Sequence, residues 1–419
     1  MTGTEGALNQ TTRRDGPFSA FRVVNFRRFV AGQSLSLVGS WTETVAQALL
    51  VLHLTGSGLL LGLLTAARYL PVLVFSPFAG LLIDRSDKHR LLIITATSLA
   101  GLSAGTGVLV ATGLIQVWML FVIAVAFGCF TALDNPARQA FIPELVGDDL
   151  IHDAVTLNST FVNVGRAIGP LIAVALVSTI GTAWCYFANA ASFGFVLAAL
   201  LSLHVRELQP ARRAIRAQGQ LLAGLRYARG LPLVFAPIIM MAIIGTFTYE
   251  FEVSLPLFGA ADFGGKLAAP WLIAGFGTGS VIGGLYCALR PRTGMSRLFR
   301  SASLYAIALA ATIFAPELWV AVCLLVVVGM ASITFIVTGN STIQIASSPS
   351  YRGRVTALWS AAFLGSTPIG SAIIGWVGGI DARLALLIGA LACAVAVIAG
   401  ALVMHRTAGS SRSRGTGAI

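Results

Sequence analysis

The sequence predicts an all-α membrane protein of twelve transmembrane helices in two pseudo-symmetric six-helix bundles. Three observations carry that prediction. The 419 residues are 56% hydrophobic and only 11% charged, and mean hydropathy is +0.85, whereas a soluble chain of this length would keep far more charge on its surface. Apolar windows of about 20 residues, the length a helix needs to cross a ~30 Å hydrocarbon core, recur along the whole chain. The basic residues gather between alternate windows.

Taken in order, the first six spans are predicted at 29–53, 58–83, 91–113, 115–137, 154–179 and 182–204. Six more follow at 233–258, 267–289, 299–316, 318–341, 354–378 and 383–404. The organisation is then a segment 1–28, a first bundle 29–204, a connecting loop 205–232, a second bundle 233–404 and a basic tail 405–419. In the connecting loop Leu221, Leu222, Leu225 and Tyr227 alternate with basic residues, which predicts an amphipathic helix lying on the membrane surface. Residues 1–20 are polar, so no cleavable signal peptide is expected and the first span must target the chain.

Of 28 lysines and arginines, 24 fall on one side of this arrangement. Lys266 and Arg383 fall on the other side, and Arg68 and Arg166 lie within spans. The positive-inside rule then places both termini and the connecting loop in the cytoplasm, with the chain in the cell (cytoplasmic) membrane. The net charge of +12 is explained by topology, and no nucleic-acid partner is expected. The five cysteines all lie in apolar windows without metal-ligand spacing, so no metal is expected. No phosphate-binding GxxxxGK[ST] loop occurs and the five histidines are scattered, so neither an enzyme nor an ATP-driven pump is expected.

Faint internal symmetry supports duplication. Asn135 and Gln139 recur at the same spacing as Asn340 and Gln344, Val155-Thr156 as Val355-Thr356, and Ile168-Gly169 as Ile369-Gly370.

The turn FAGLLIDRSDKHRLL (78–92) crowds charge into an apolar chain. With Gly80, Asp84, Arg85, Lys88 and Arg90 it resembles the motif that follows span 2 in the major facilitator superfamily, with Asp87 where that family usually has glycine. DNPARQAFIPELVGDD (134–149), LNSTFVNVGRAIGP (157–170) and SPSYRGRVTALWS (348–360) resemble the branch of macrolide-efflux and enterobactin-exporter-like carriers. The resemblance covers nearly the whole chain. It implies the major facilitator fold and a secondary transporter working by alternating access. It also implies that Asp84 latches one rim against the start of span 11, at Arg352 and Arg354, and against Arg138 in span 4; the alternative is that these charges only fix topology. Asp134 lies one helical turn from Arg138 and can pair with it. The turn after span 8 has Ala288 where Asp84 would sit, so the charged latch belongs to the first half alone.

Gly165, Arg166, Gly169 and Pro170 in span 5 form a GxxxG spacing closed by proline, suited to close helix approach. The same residues resemble the span-5 motif of antiporters, although Ala173 replaces its last glycine. Glu43, Arg68 and Arg166 fall at a similar depth, ~18–23 Å in at ~1.5 Å per residue. They form either a structural ion pair or part of a proton and substrate site. Glu250 and Glu252 in span 7 are two apart, so on an unbroken helix both cannot face one cavity. Glu250 is the favoured proton carrier, with the other carboxylate near the outer interface.

Aromatics spread over many spans leave open which of them line a cavity. The function expected is export of small amphipathic compounds by proton antiport, with the proton gradient and no cofactor as energy source, in a monomer within the bilayer. A dedicated exporter or importer of one metabolite such as a siderophore is the alternative. A non-transporting receptor is a more remote one, since no soluble sensing domain is visible.

Overall fold

A computed structural model describes residues 19–147, 150–209, 220–264, 268–290, 293–348, 351–364 and 366–414. Within these, the side-chain environments at 76–81, 84, 85, 166 and several other positions lie outside the description. Gly80, Asp84, Arg85 and Arg166 are among those positions.

The first six spans are α1 (Val24–Thr55), α2 (Gly58–Arg85), α3 (Lys88–Ala111), α4 (Val117–Val146), α5 (Ile151–Thr179) and α6 (Ala183–Leu201). A short α7 (Gln220–Arg229) follows, and the chain bends by 111° from it into α8 (Pro232–Phe247). α7 falls where an amphipathic helix is predicted in the connecting loop. α9 (Phe251–Asp262) completes span 7 after a break. Spans 8 to 10 are α10 (Ala268–Leu289), α11 (Met295–Ile313) and α12 (Leu318–Ala346). Span 11 is also broken, into α13 (Arg352–Leu364) and α14 (Thr367–Ile380), and α15 (Ala382–Arg414) carries span 12 on into the basic tail.

Local chemistry sets these boundaries. α1 stops at Gly56, whose φ of 62° is a left-handed conformation that glycine adopts without a Cβ clash. Ser57 then caps α2 by accepting the Leu60 N–H at 3.3 Å, the usual work of a serine at a helix start. Asp87 caps α3 by accepting the Arg90 N–H at 3.2 Å. One of the two aspartates in the charged turn therefore starts a helix.

Among the described residues nine helical stretches are long and apolar enough to cross a bilayer by length and composition, the α13–α14 pair counting as one. Of the other three, α11 begins with Arg297 and Arg300 and span 7 is split; in α5 the described side chains are interrupted at Arg166, and the apolar stretch after it runs over Ala167–Thr179.

The span-7 split corrects the unbroken helix expected at 233–258. Pro256 lacks the N–H that would bond the Glu252 carbonyl, so the turn before it is weakly held. Thr248 instead donates its hydroxyl to the Gly389 carbonyl of α15 at 2.9 Å.

The halves meet through α2 on α14, α5 on α10, and α9 on α1 and α2. The α2–α14 contact lies at the end remote from the basic loops. Gly58 and Gly62 of α2 sit so close to Gly375 and Gly379 of α14 that a Cβ at Gly375 would fall 2.6 Å from the Gly58 carbonyl oxygen. Leu50, Leu64, Leu257 and Phe258 belong to one buried cluster that runs across this junction.

Candidate functional site

A cavity of about 890 Å³ lies between the halves, level with the break in span 7. α1 supplies Trp41, Thr44, Val45 and Ala48, and α2 supplies Thr65 and Tyr69. Across from them are Tyr249, Glu250, Phe251 and Glu252 of the break, Ile273 and Phe276 of α10, and Phe363 and Thr367 of span 11. The broken helix overturns the expectation that the two glutamates cannot share a cavity. Glu250 is the non-helical residue before α9 (φ −81°, ψ 41°) and Glu252 lies in its first turn. The helical rule that separates residues two apart does not apply across that junction. Both carboxylates line the cavity.

Their surroundings differ. Glu250 is 3% exposed, and its Oε1 accepts no hydrogen bond from a protein group. The carboxyl lies against Gly370 of α14, where a Cβ would come within 3.0 Å of Oε1. Glu252 accepts the Tyr69 hydroxyl at 3.1 Å, a hydrogen bond joining the second half to the first. Tyr249 donates to the Ser332 carbonyl at 3.1 Å and meets Phe363 edge-on, ring centroids 5.0 Å apart. Phe251 packs on Phe276 with centroids at 4.3 Å. The wall is thus aromatic on one side, hydroxyl-bearing on the other, and acidic at the break.

The polar groups of the first half adjoin this cavity. Arg68 donates to the Gln47 side chain at 2.9 Å and lies over the Phe127 ring, 4.3 Å from its centroid. A space of about 270 Å³ is bounded by Thr44, Gln47, Thr65, Arg68 and Glu252. Another, of about 260 Å³, is bounded by Glu43, Gln47, Arg68, Thr106 and Tyr186. Arg68 therefore stands between Glu43 and Glu252. Glu43, 4% exposed, accepts hydrogen bonds from Ser103 at 2.6 Å and Asn189 at 2.5 Å. Of the acid and two bases expected at one level, Glu43 is held by an amide and a hydroxyl and Arg68 by an amide. Arg166 lies outside the described side chains.

Gln47, Ser103 and Asn189 are site residues that sequence reasoning does not single out. Gln47 is four residues after Glu43 on the same helix face, the one signal that could have found it. Nothing in the linear chain brings α3 and α6 to Glu43.

The GxxxG of α5 packs on α1. Gly165 lies against Leu37, and Gly169 against Val38 and Trp41 with its carbonyl accepting the Thr42 hydroxyl at 3.0 Å. Close approach here places Trp41 in the cavity wall.

Among the described residues, Arg138, Lys88, Arg90, Arg352 and Arg354 at the basic rim find partners within their own halves. Arg138 pairs with Asp134, which also accepts the Thr95 hydroxyl at 2.7 Å. Lys88 pairs with Glu144 at 2.6 Å and Arg90 with Asp87 at 3.4 Å. Arg352 donates to the Gln344 carbonyl at 3.0 Å, and Arg354 stacks on Tyr351. The two arginines of span 11 are thus not paired with Asp134, Asp87 or Glu144.

Twelve spans in two halves, closed together at one end and enclosing an amphipathic cavity where two helices are broken, define a membrane carrier. The chain belongs to the transmembrane secretion effector family of the major facilitator superfamily, matching it over residues 15–414. It is 25% identical to macrolide efflux protein A of Streptococcus pyogenes, over 83% of this chain and 87% of that protein. It is 27% identical to the enterobactin exporter EntS of Escherichia coli, over 86% of this chain and 85% of that one. Two other relatives match over less of their length. The chain spans 61% of YfiS, an uncharacterized transporter of Bacillus subtilis (26% identical over 60% of this chain), and 45% of the staphyloferrin A transporter of Staphylococcus aureus. A bacterial homolog of the human lysosomal transporter Spinster shares the fold at a TM-score of 0.69 and 14% identity, over 92% of this chain and 97% of that one. The family, and the relatives it matches, are membrane transporters.

Proposed function

We propose that this carrier exports small amphipathic compounds, cationic or neutral, in exchange for protons. The observation that carries the proposal is Glu250, a carboxyl buried at a helix break, one oxygen unpartnered by protein, opening on an aromatic cavity between the halves. A buried carboxylate with no counter-charge is costly, so such a group favours either a proton or a bound cation. Competition between the two for one carboxyl is the chemistry of antiport.

If the basic loops and termini are cytoplasmic, the closed end is the outer one, and substrate enters from inside while Glu250 gives up its proton. When the halves rock open on the other side, protons displace the substrate. Asp84, with Gly80, Arg85, Lys88 and Arg90, then acts as the latch that forms against Arg138, Arg352 and Arg354 once the cytoplasmic rim closes. The pairing of Arg138, Lys88 and Arg90 within the first half, and of Arg352 and Arg354 within the second, is compatible with the released stage of that cycle. Export is supported by two relatives, the macrolide efflux protein and the enterobactin exporter. The enterobactin relationship also favours a second reading, a dedicated exporter of one siderophore-like metabolite.

Uptake of a fluorescent lipophilic cation into inside-out vesicles under an imposed pH gradient tests the proposal. Accumulation is expected to vanish when the gradient is collapsed. Accumulation that survives collapse would rule out proton antiport. Accumulation that only one metabolite can compete away would favour the dedicated exporter.

A further inference from the structure

The turn between α10 and α11 occupies the place in the second half that the charged latch occupies in the first, and it carries arginines without the acid. In the first half Lys88 has Glu144 as its carboxylate, Arg90 has Asp87 and Arg138 has Asp134. In the second half no aspartate or glutamate occurs anywhere in α10, α11, α12 or the segment joining α10 to α11. Arg290, Arg297 and Arg300 nevertheless gather there.

A groove of about 1260 Å³ runs between these helices, bordered by Tyr286, Met295, Arg297, Arg300, Leu304 and Met330 among others. It lies on the outside of the bundle: α11 packs on α12 and α15, and Leu289 and Ile307 beside the groove are 74% and 67% exposed. Its polar groups sit at the membrane-surface end, where Ser296, Arg297 and Arg300 form the first two turns of α11. Its apolar wall, Leu304, Met330 and Ala331, lies deeper. Arg297 is positioned at the mouth: it lies over the Tyr286 ring, 5.0 Å from the centroid, and donates to the Arg290 carbonyl at 2.8 Å.

We propose that this groove binds an anionic phospholipid, its phosphate between Arg297 and Arg300 and an acyl chain along Leu304 and Met330. Guanidinium groups bind phosphate through strong charge-assisted hydrogen bonds. Basic pockets between spans on the cytoplasmic side are suited to anionic headgroups. The bilayer supplies the negative charge that Glu144, Asp87 and Asp134 supply in the first half. The groove is both charged and apolar, which fits a lipid better than free phosphate.

The test is native mass spectrometry of the purified full chain with added phosphatidylglycerol or phosphatidylcholine. The wild type is expected to retain phosphatidylglycerol preferentially. The R297Q/R300Q double variant is expected to lose roughly thirtyfold in apparent affinity, since each guanidinium near a membrane surface contributes about fivefold. The charge-matched R226Q/R229Q variant in α7 should retain it. Ser296→Glu adds a carboxylate at the start of α11, where the helix dipole tolerates it, and should weaken retention in a chain that stays folded. Equal retention of the two lipids, unchanged retention in Ser296→Glu, or equal loss in both arginine double variants would overturn the site. Displacement of the lipid by millimolar inorganic phosphate would reassign it to a free anion.

Discussion

Gly375→Ala tests whether the closed end is held by backbone contact. A Cβ at Gly375 would fall 2.6 Å from the Gly58 carbonyl oxygen and 2.7 Å from the Gly62 Cα. Ordinary carbon contacts lie near ~3.5–4.0 Å, so α14 and α2 must separate by roughly 1 Å. The obstructing atoms are backbone, and no side chain can turn aside. Overpacking of this kind costs about 1–3 kcal/mol. It arises only when the two ends meet, so it acts on one of the two states of the carrier. The population of that state should fall about 5–150-fold relative to its alternative. Spin labels at Leu114 and Phe314, exposed outer-end positions in different halves, report the separation. In a background lacking the five native cysteines, Gly375→Ala should move the distance distribution to longer values. A distribution identical to the parent, in a folded variant, would refute the backbone-contact account.

Tyr69→Phe removes a hydrogen bond between the halves without changing shape. It should weaken the same state by about 0.5–1.5 kcal/mol, read as a smaller shift in the same distance measurement; no shift would deny Tyr69–Glu252 a role in closure. Asp134→Ala strands the buried Arg138 guanidinium, a change that costs about 3–5 kcal/mol in buried pairs. Heating followed by size-exclusion detection should show a lower midpoint, partly restored by Asp134→Leu with Arg138→Met. Asp87→Ala removes the α3 cap and should cost about 1 kcal/mol in the same assay, while Asp87→Ser should be nearly neutral. If the two Asp87 variants behave alike, capping is not its role.

The fold was legible because span length, loop charge and the Gly80–Arg90 turn are local properties of the chain. The breaks were less so. Pro256 was visible, but the opening at Thr248–Glu250 comes with a bond from the Thr248 hydroxyl to the Gly389 carbonyl of α15, a partner far off in the chain. The same break reversed the reading of Glu250 and Glu252, because helical periodicity says nothing across a non-helical residue. Depth counting put Glu43 and Arg68 at one level, and the two border a common space. It could not tell that Ser103 and Asn189 hold the carboxylate, since those partners are 60 and 146 residues away.

In the proposed cycle Glu250 holds either a proton or the substrate at the break in span 7. Glu250→Gln, which keeps the side-chain shape and removes the titratable group, tests it in reconstituted vesicles. This variant should still exchange labelled for unlabelled substrate at equal pH and no longer accumulate substrate against a gradient when a pH difference is imposed. Normal gradient-driven accumulation by Glu250→Gln would contradict it.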